Sequence, residues 1–535
     1  MMDTLKLRQK LLDLAIRGKL VPQDPNDEPA SVLLERIHAE KVAMVERGEL
    51  KPRDIKGDTV IFIGSDGLPY EKGWGDTEGE CISEEVPFDL PNGWSWSRLG
   101  FVAFYKKGPF GSSITKAMFI PDSPTAIKVY EQQNAIRKNH RLGHYFISEE
   151  KYQELKSCEV FPDDVIVSCA GTIGEAYVLP HDMRKGILNQ ALMRVALYDH
   201  DLTPFYLILF DHIIKRESSA QSKGTAMTNI PPLPEFKRYL IPIPPLAEQR
   251  RIVEALDKYL ALVDEIEQAQ ADLDALFAQL KSKVLDLAIR GELTAQDPDD
   301  EPASVLLERI HAEKVAMVKR GELKPKDIKG DTVIFTGSDG LRYEKPADGK
   351  GEAKRIEVEI PFEIPEGWSW ARLGQLVATC GGKTPSKANK EFWEGGGVPW
   401  MTSKDMKAPE LFGSQTELTE SGAAETNIVP AGSVLMVVRS GILRRLLPVA
   451  INRVETTINQ DLKAMTPYDP RLSDWLLTCF NAWDERIRDI YHKDGTTVDS
   501  IEFDAMLSML LPVPPLAEQR HIVEAIKTAF NFTNL

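Results

Sequence analysis

The sequence predicts a mixed α/β chain, duplicated internally, in which long paired helices carry two globular inserts. Three observations lead there. A near-identical segment recurs at an offset of 273 residues, two shorter anchors recur behind it, and a helical run free of Gly and Pro follows the first insert.

The repeat organises everything else. Residues 14–72 align without gaps on 287–345, with 51 of 59 positions identical. EPASVLLERIHAEKVAM starts at Glu28 and again at Glu301. VPFDLPNGWSWSRLG from Val86 returns as IPFEIPEGWSWARLG from Ile360, and PPLAEQRRIVEA from Pro244 returns as PPLAEQRHIVEA from Pro514. Between the second and third anchors lie two blocks of about 150 residues with little visible similarity. A solenoid would repeat every ~20–50 residues, far below this period. Two similar frames around dissimilar inserts suit a device that presents two different surfaces from equivalent positions. The segments are 1–21, a distal helix; 22–85, a repeat with helix and hairpin; and 86–244, the first block. They continue as 245–291, a long central helix; 292–359, the second repeat; 360–514, the second block; and 515–535, the other part of the distal helix.

The long helix opens at PPLAEQR and meets no Gly or Pro until Gly291, roughly 45 residues later. Val253/Leu260 and Leu256/Val263, then Ile266, Leu273, Leu280 and Leu287, keep a seven-residue spacing with a slip near Glu265. That spacing predicts a coiled-coil-like pairing over a length on the order of 67 Å. The last residues match the start of this helix and the first residues match its end. The distal helix is therefore a second copy, cut open, and its two parts are expected beside 246–290. Pro29 and Gly48, or Pro302 and Gly321, bracket a shorter helix. TVIF-x-GSDGL-x-YE then reads as a hairpin about a Gly-Ser-Asp-Gly turn.

Composition narrows the class. With 535 residues, 42% hydrophobic and 27% charged, the chain is a soluble protein of several domains. Its apolar runs, such as 205–210, fall far short of the ~20 residues of a membrane helix, and residues 1–19 mix charge throughout, unlike a secretory signal. Five scattered cysteines form no CxxC pair, so free thiols in a reducing cytoplasm are expected and a structural zinc site is not. The net charge of −16 divides unevenly. Residues 86–242 carry +2 and 360–512 carry −5, against −6 for 1–85 and −7 for 243–359. No region is strongly basic, so nucleic-acid binding needs a local cluster of cations.

The constant–variable alternation, the two PPLAEQR helix starts and the P-x-GW-x-W-x-RLG motif at the head of each block resemble specificity subunits of type I restriction-modification systems. The resemblance covers essentially the whole chain. GPFGSS at Gly108, SCAGTIG at Ser168, LNQAL at Leu188 and GTAMTNI at Gly224 resemble a first target-recognition domain. GGKTPS at Gly381, VPWMTSKDM at Val398, INQDL at Ile458 and DGTTVDSI at Asp494 resemble a second. The resemblance implies that each block is an α/β recognition domain reading one half of a split, asymmetric double-stranded DNA target. It implies that the helices set the distance between halves and hold two methyltransferase subunits. Those subunits would carry S-adenosylmethionine, and translocase–nuclease subunits using ATP and Mg would join them. The chain itself is expected to be non-catalytic, cytoplasmic and without cofactor or metal.

Base readout needs Arg, Lys, Asn, Gln, Ser or Thr at base edges, with phosphate contacts setting register. In the first block the candidates are Lys107, Ser112, Ser113 and Lys116, then Gln132, Asn134, Arg137, Lys138 and Arg141 in YEQQNAIRKNHR, and Lys223, Thr225, Thr228 and Asn229. In the second they are Lys383, Thr384, Ser386, Lys387, Ser403, Lys404, Arg439, Arg444, Arg445, Lys493, Thr496 and Thr497. Arg444 and Arg445 follow VLMVVRSGIL and are expected to be two cations at a strand end. Trp94/Trp96 and Trp368/Trp370 occur identically in both frames while the inserts differ, so they read as core anchors rather than base-stacking rings. Asn189-Gln190 and Asn459-Gln460 read as buried amides satisfying a strand edge. Gly382-Lys383-Thr384 is not a phosphate loop, because that motif needs Gly at the position of Val377. No catalytic residues are assigned: a flipped-base Asn-Pro-Pro-Tyr pocket and an HxE…CxxC constellation are both missing.

Overall fold

A computed structural model of the chain describes residues 2–214, 231–495 and 498–533. It divides into two compact units, Met1–Ala271 and Asp272–Leu535. The dividing line falls inside one continuous helix, Leu246–Arg290. Among the described residues no helix is long and apolar enough to cross a membrane, and all five cysteines are free.

In the first unit, Pro29 precedes the helix Ala30–Glu46, and Gly48 turns the chain away with φ 77°. The left-handed region is open to Gly because it lacks a Cβ. The predicted hairpin forms from Thr59–Ile63 and Pro69–Gly73, paired Thr59 to Gly73, with Glu80–Cys81 as a third strand. Ser95–Arg98 pairs antiparallel with Leu240–Ile243, so the first block leaves beside the strand through which it began. One four-stranded sheet runs Ala176–Val178, Val165–Ser168, Leu192–Leu197, Ala103–Lys107, all antiparallel. A second runs Phe146–Ile147, Ile127–Tyr130, Gly186–Leu188, Glu159–Val160, with its middle pair parallel. The helix Thr4–Ile16 lies antiparallel on the central helix: Arg8 reaches Asp264 and Glu267, while Ala15 and Ile16 share a core with Ile252 and Leu256.

The second unit repeats the plan. Ala303–Arg320 follows Pro302, and Gly321 caps it at φ 80°. Thr332–Thr336 pairs with Arg342–Pro346, and Ser369–Arg372 with Leu510–Val513. The block holds a five-stranded sheet ordered Val377–Gly381, Leu462–Pro467, Val434–Val437, Val449–Asn452, Glu410–Leu411. Beside it stands a four-stranded one ordered Glu417–Leu418, Val398–Met401, Thr456–Ile458, Ile428–Val429, again with a central parallel pair. Leu516–Thr533 packs antiparallel on the central helix, Ile522 and Ile526 joining Val284, Ala288 and Ile289, and Lys281 lying 5.7 Å from the Phe530 ring. Of the predicted heptad stripe, Leu256 and Val263 are buried and Leu287 is half-buried, whereas Leu273 and Leu280 stay 46–47% exposed, so the predicted seam is not closed along its whole length.

The frame is held by buried polar contacts that occur twice. Trp94 Nε1 donates to Glu248 at 3.0 Å and Gln23 to its other oxygen at 3.1 Å. Trp368 and Gln296 do the same to Glu518 at 2.8 and 3.0 Å. Burial raises both carboxyls above the ordinary range, against the pull of those donors. The four frame tryptophans are at most 8% exposed and are not available to stack on bases. Lys41 is buried against Asp58 at 2.5 Å and Lys314 against Asp331 at 2.5 Å, each carboxylate also meeting a histidine, His38 or His311.

Candidate nucleic-acid interface

In the first block Ile127–Tyr130 and Gly186–Leu188 run parallel in one sheet, Ala103–Lys107 and Val165–Ser168 both run antiparallel to Leu192–Leu197 in the other, and backbone bonds join the ends of these four strands. In the second block Val398–Met401 and Thr456–Ile458, and Val377–Gly381 and Val434–Val437 against Leu462–Pro467, pair in the same way. The loops that follow them are therefore neighbours. In the first block Gly108 lies so close to the Asn189 carbonyl that a Cβ there would sit 1.8 Å from it. Asn189 N in turn donates to Tyr130 O, Gln132 Nε2 to Ala170 O, and Cys169 N to Ala191 O. The second block makes the same rim from other residues. A Cβ on Gly382 would sit 2.1 Å from Asn459 O, Asn459 N donates to Met401 O, Val438 N to Asp461 O, and Thr384 Oγ1 to Gln460 at 2.5 Å.

Most sequence candidates fall on these rims. Ser112, Ser113 and Lys116 occupy the loop after Gly108, with Phe110 at its tip 87% exposed. Arg137 and Arg141 are exposed on the loop after the helix Gln132–Ile136; Arg141 pairs with Asp182 at 2.8 Å, while Arg137 has no ion pair among the described residues. Lys138 has φ 50° and donates to Glu175 at 3.0 Å and to Ala176 O at 2.6 Å. Lys107 is half-buried, its Nζ 3.4 Å from Pro231 O. In the second block Lys383, Ser386, Lys387, Lys404, Arg439 and Arg445 are exposed, Thr384 and Ser403 half-buried, and Lys493 lies 3.8 Å from Glu502. Lys223, Thr225, Thr228, Asn229, Thr496 and Thr497 lie outside the described residues.

Three expectations need correction. Asn134 is wholly buried: its Oδ1 accepts from Glu131 N and its Nδ2 donates to Asn139 O and Leu142 O, so it shapes the loop from within. Arg444 and Arg445 do not end a strand. Val434–Val437 stops earlier and a 3-10 turn, Gly441–Arg444, carries them. Arg444 there donates to Asp499 at 2.6 Å, and that pair, with a backbone donor from Gly495, holds the buried Asp499 carboxyl down at about 2. Asn459 is buried and ties its own turn to Asp461 N, yet its neighbour Gln460 is exposed, as is Gln190. The pairs Asn189-Gln190 and Asn459-Gln460 stand at matching places in two otherwise dissimilar blocks and were expected to be buried amides. Asn189 is instead half-buried, both glutamines are exposed on the rims, and Gln460 accepts there from Thr384.

His492, Asp494 and Asp499 bring ligand-type atoms within 4.8 Å of one another. Arg444 already engages both oxygens of Asp499 there, which suits ion pairing rather than metal binding.

Comparison with known proteins agrees with this architecture. The sequence model of a family described as "Type I restriction modification DNA specificity domain" matches residues 114–273 and again 365–535. The chain is similar to the type I restriction enzyme EcoEI specificity subunit of Escherichia coli, 28% identical over 72% of this chain and 65% of that one. It is also similar to the EcoAI specificity subunit of Escherichia coli, 29% identical over 69% and 62%. The chain thus spans just under two thirds of the length of these curated relatives. A solved structure, described as "Structural basis underlying complex assembly and conformational transition of the type I R-M system", shares the fold at a TM-score of 0.50, with 19% identity over 84% of this chain and 93% of that one.

Proposed function

The chain belongs to the family of type I restriction-modification DNA specificity domains, and on that premise we propose that it is the non-catalytic, sequence-reading subunit of a modification and restriction assembly. The observation that carries this reading is the rim: one set of four loops, built twice on near-identical frames from different side chains. Such a pair of surfaces can read two unlike half-sites of one asymmetric double-stranded DNA target.

In this reading 86–244 and 360–514 are the target-recognition domains, and the remaining five segments are frame and spacer. Arg137, Lys116, Lys387, Lys404, Arg439 and Arg445 make phosphate or guanine contacts, and the serines, threonines and exposed glutamines read other edges. Asn134 drops out of the set because its amide is fully used inside. The helices fix the half-site distance and hold two methyltransferase subunits that carry S-adenosylmethionine. Restriction subunits bring ATP and Mg, and the assembly works in the cytoplasm.

The decisive experiment exchanges residues 86–242 for the corresponding block of another specificity subunit and sequences the host methylome. One half of the methylated motif should change while the other stays. A change in both halves, or in neither, would overturn the modular reading.

A further inference from the structure

The two frames differ where Trp74 and Phe101 pack in the first, and there the second frame has a cavity. In the first unit Trp74 N donates to Asp58 O, and the Trp74 indole stacks on His38 with ring centroids 4.1 Å apart and planes 21° apart. Phe101 continues the stack at 5.7 Å and 14°. In the second unit the same backbone bond is made by Ala347 N to Asp331 O, so the chain follows the same path without the indole. Gln375 stands at the position of Phe101, its Oε1 accepting from Thr332 N at 3.1 Å. A cavity of about 330 Å³ opens between Leu307, Ile310, His311, Ile334, Ala347 and Gln375. That volume lies in the ~300–1,000 Å³ range of ligand pockets. Its opening exposes what the first frame covers: the His311 side chain is 31% exposed against 17% for His38, and Leu307 is half-buried where Leu34 is buried.

We propose that this cavity is a binding site for a planar aromatic ring of indole size, with Trp74 of the first frame showing how such a ring is held. His311 offers a ring face already oriented by Asp331, to which its Nδ1 lies at 2.9 Å. Leu307, Ile310 and Ile334 supply the apolar walls that remove the ring's faces and edges from water. The Gln375 amino group, which meets no acceptor among the described residues, adds a donor for a ring that bears an acceptor atom. The ring comes either from a side chain of a protein partner or from a free small molecule, and both have the same chemistry at this wall.

The test uses the full chain and indole as probe. Ligand-observed NMR should show saturable indole binding to the wild type, and Ala347→Trp, which fills the space from within, should abolish it. Ala347→Phe serves as the second filler should the larger ring disturb the fold. In the reciprocal variant, Trp74→Ala should lower the Tm, and indole should restore part of that loss. No binding to the wild type, or equal binding to both filled variants, would overturn the proposal. The source follows from assembly with the methyltransferase partners. A partner side chain in the cavity predicts at least tenfold weaker assembly of Ala347→Trp, whereas a free ligand predicts unchanged assembly with indole binding lost.

Discussion

The two repeats are identical at 51 of 59 aligned positions, while the two blocks they carry share a strand plan and little sequence. The contrast separates two kinds of requirement. A sheet asks for alternation, β-branched residues and turns, and many sequences meet that. The frame asks for particular polar groups at particular depths, since a buried Lys, Glu or Trp N–H is tolerated only beside its partner. The four loops of a rim answer to neither demand strongly. They are tied by backbone bonds and a close-approaching glycine, which leaves their side chains free to differ between blocks.

The harshest break of that comparison is at the buried lysines. Lys41→Ala leaves Asp58 buried without its main partner and should cost about 3–5 kcal/mol, and Lys314→Ala should cost the first unit nothing while destabilising the second by a similar amount. Urea unfolding of each variant, followed by hydrogen exchange resolved by unit, measures this. Equal loss across both units from either variant would mean that the frames do not stand independently. A milder break is Trp94→Phe, which keeps the ring packing but removes the donor to Glu248. It should cost about 1–3 kcal/mol, the range for stranding a buried polar group. Trp368→Phe should match it within the error of the same measurement.

How much of this was legible follows the same division. The repeat, the helices bracketed by Pro29/Gly48 and Pro302/Gly321, the hairpins and the tryptophan anchors could all be read, because each is a local signal written twice. The lysine pairs were overlooked, although Leu33, Ile37 and Lys41 stand at four-residue steps on one helical face, which places the lysine on the apolar side. The candidate set was harder. Asn134 and Arg137 are three residues apart, a spacing that on a continuous helix would put both on one face, but the short helix Gln132–Ile136 stops before Arg137, so Asn134 is buried while Arg137 caps the end and stays exposed. Long-range pairing is equally silent in sequence: nothing beside Arg444 announces Asp499, 55 residues on.

That pairing makes the two second-block arginines a sharper probe of the rim than either alone. Arg445→Ala removes an exposed cation with no ion pair among the described residues, so it should weaken DNA binding and reduce the salt slope by up to about one unit. Arg444→Ala should also strand the buried Asp499 and loosen the Gly441–Arg444 turn, lowering stability as well as affinity. Binding measured by fluorescence anisotropy at several salt concentrations, alongside thermal unfolding, separates the two. An unchanged slope in a folded Arg445→Ala protein would take that residue off the interface. Arg137→Ala is the matching test in the first block.

The smallest expected effect is one of acidity. The two rims are fastened differently: Gln132 holds the Ala170 loop through a neutral amide, whereas Arg444 holds its turn through the Asp499 carboxylate. The Asp499 carboxyl is lowered from its ordinary 3.8 to about 2, chiefly by the hydrogen bond from Arg444. A lowered acid favours the folded state wherever the group is ionised in both states, so the contribution is complete above pH 3.8 and is lost as pH falls through about 2. Asp499→Asn keeps the shape and removes the titration. The stability gap between wild type and this variant should thus be constant from pH 7 down to about 5 and then narrow below 3.8. Hydrogen exchange should place the acid-induced loosening at 438–445 and leave 169–175 level with the rest of its block. A gap that stays constant down to pH 3 and below would show that the carboxylate is not what fastens the second rim.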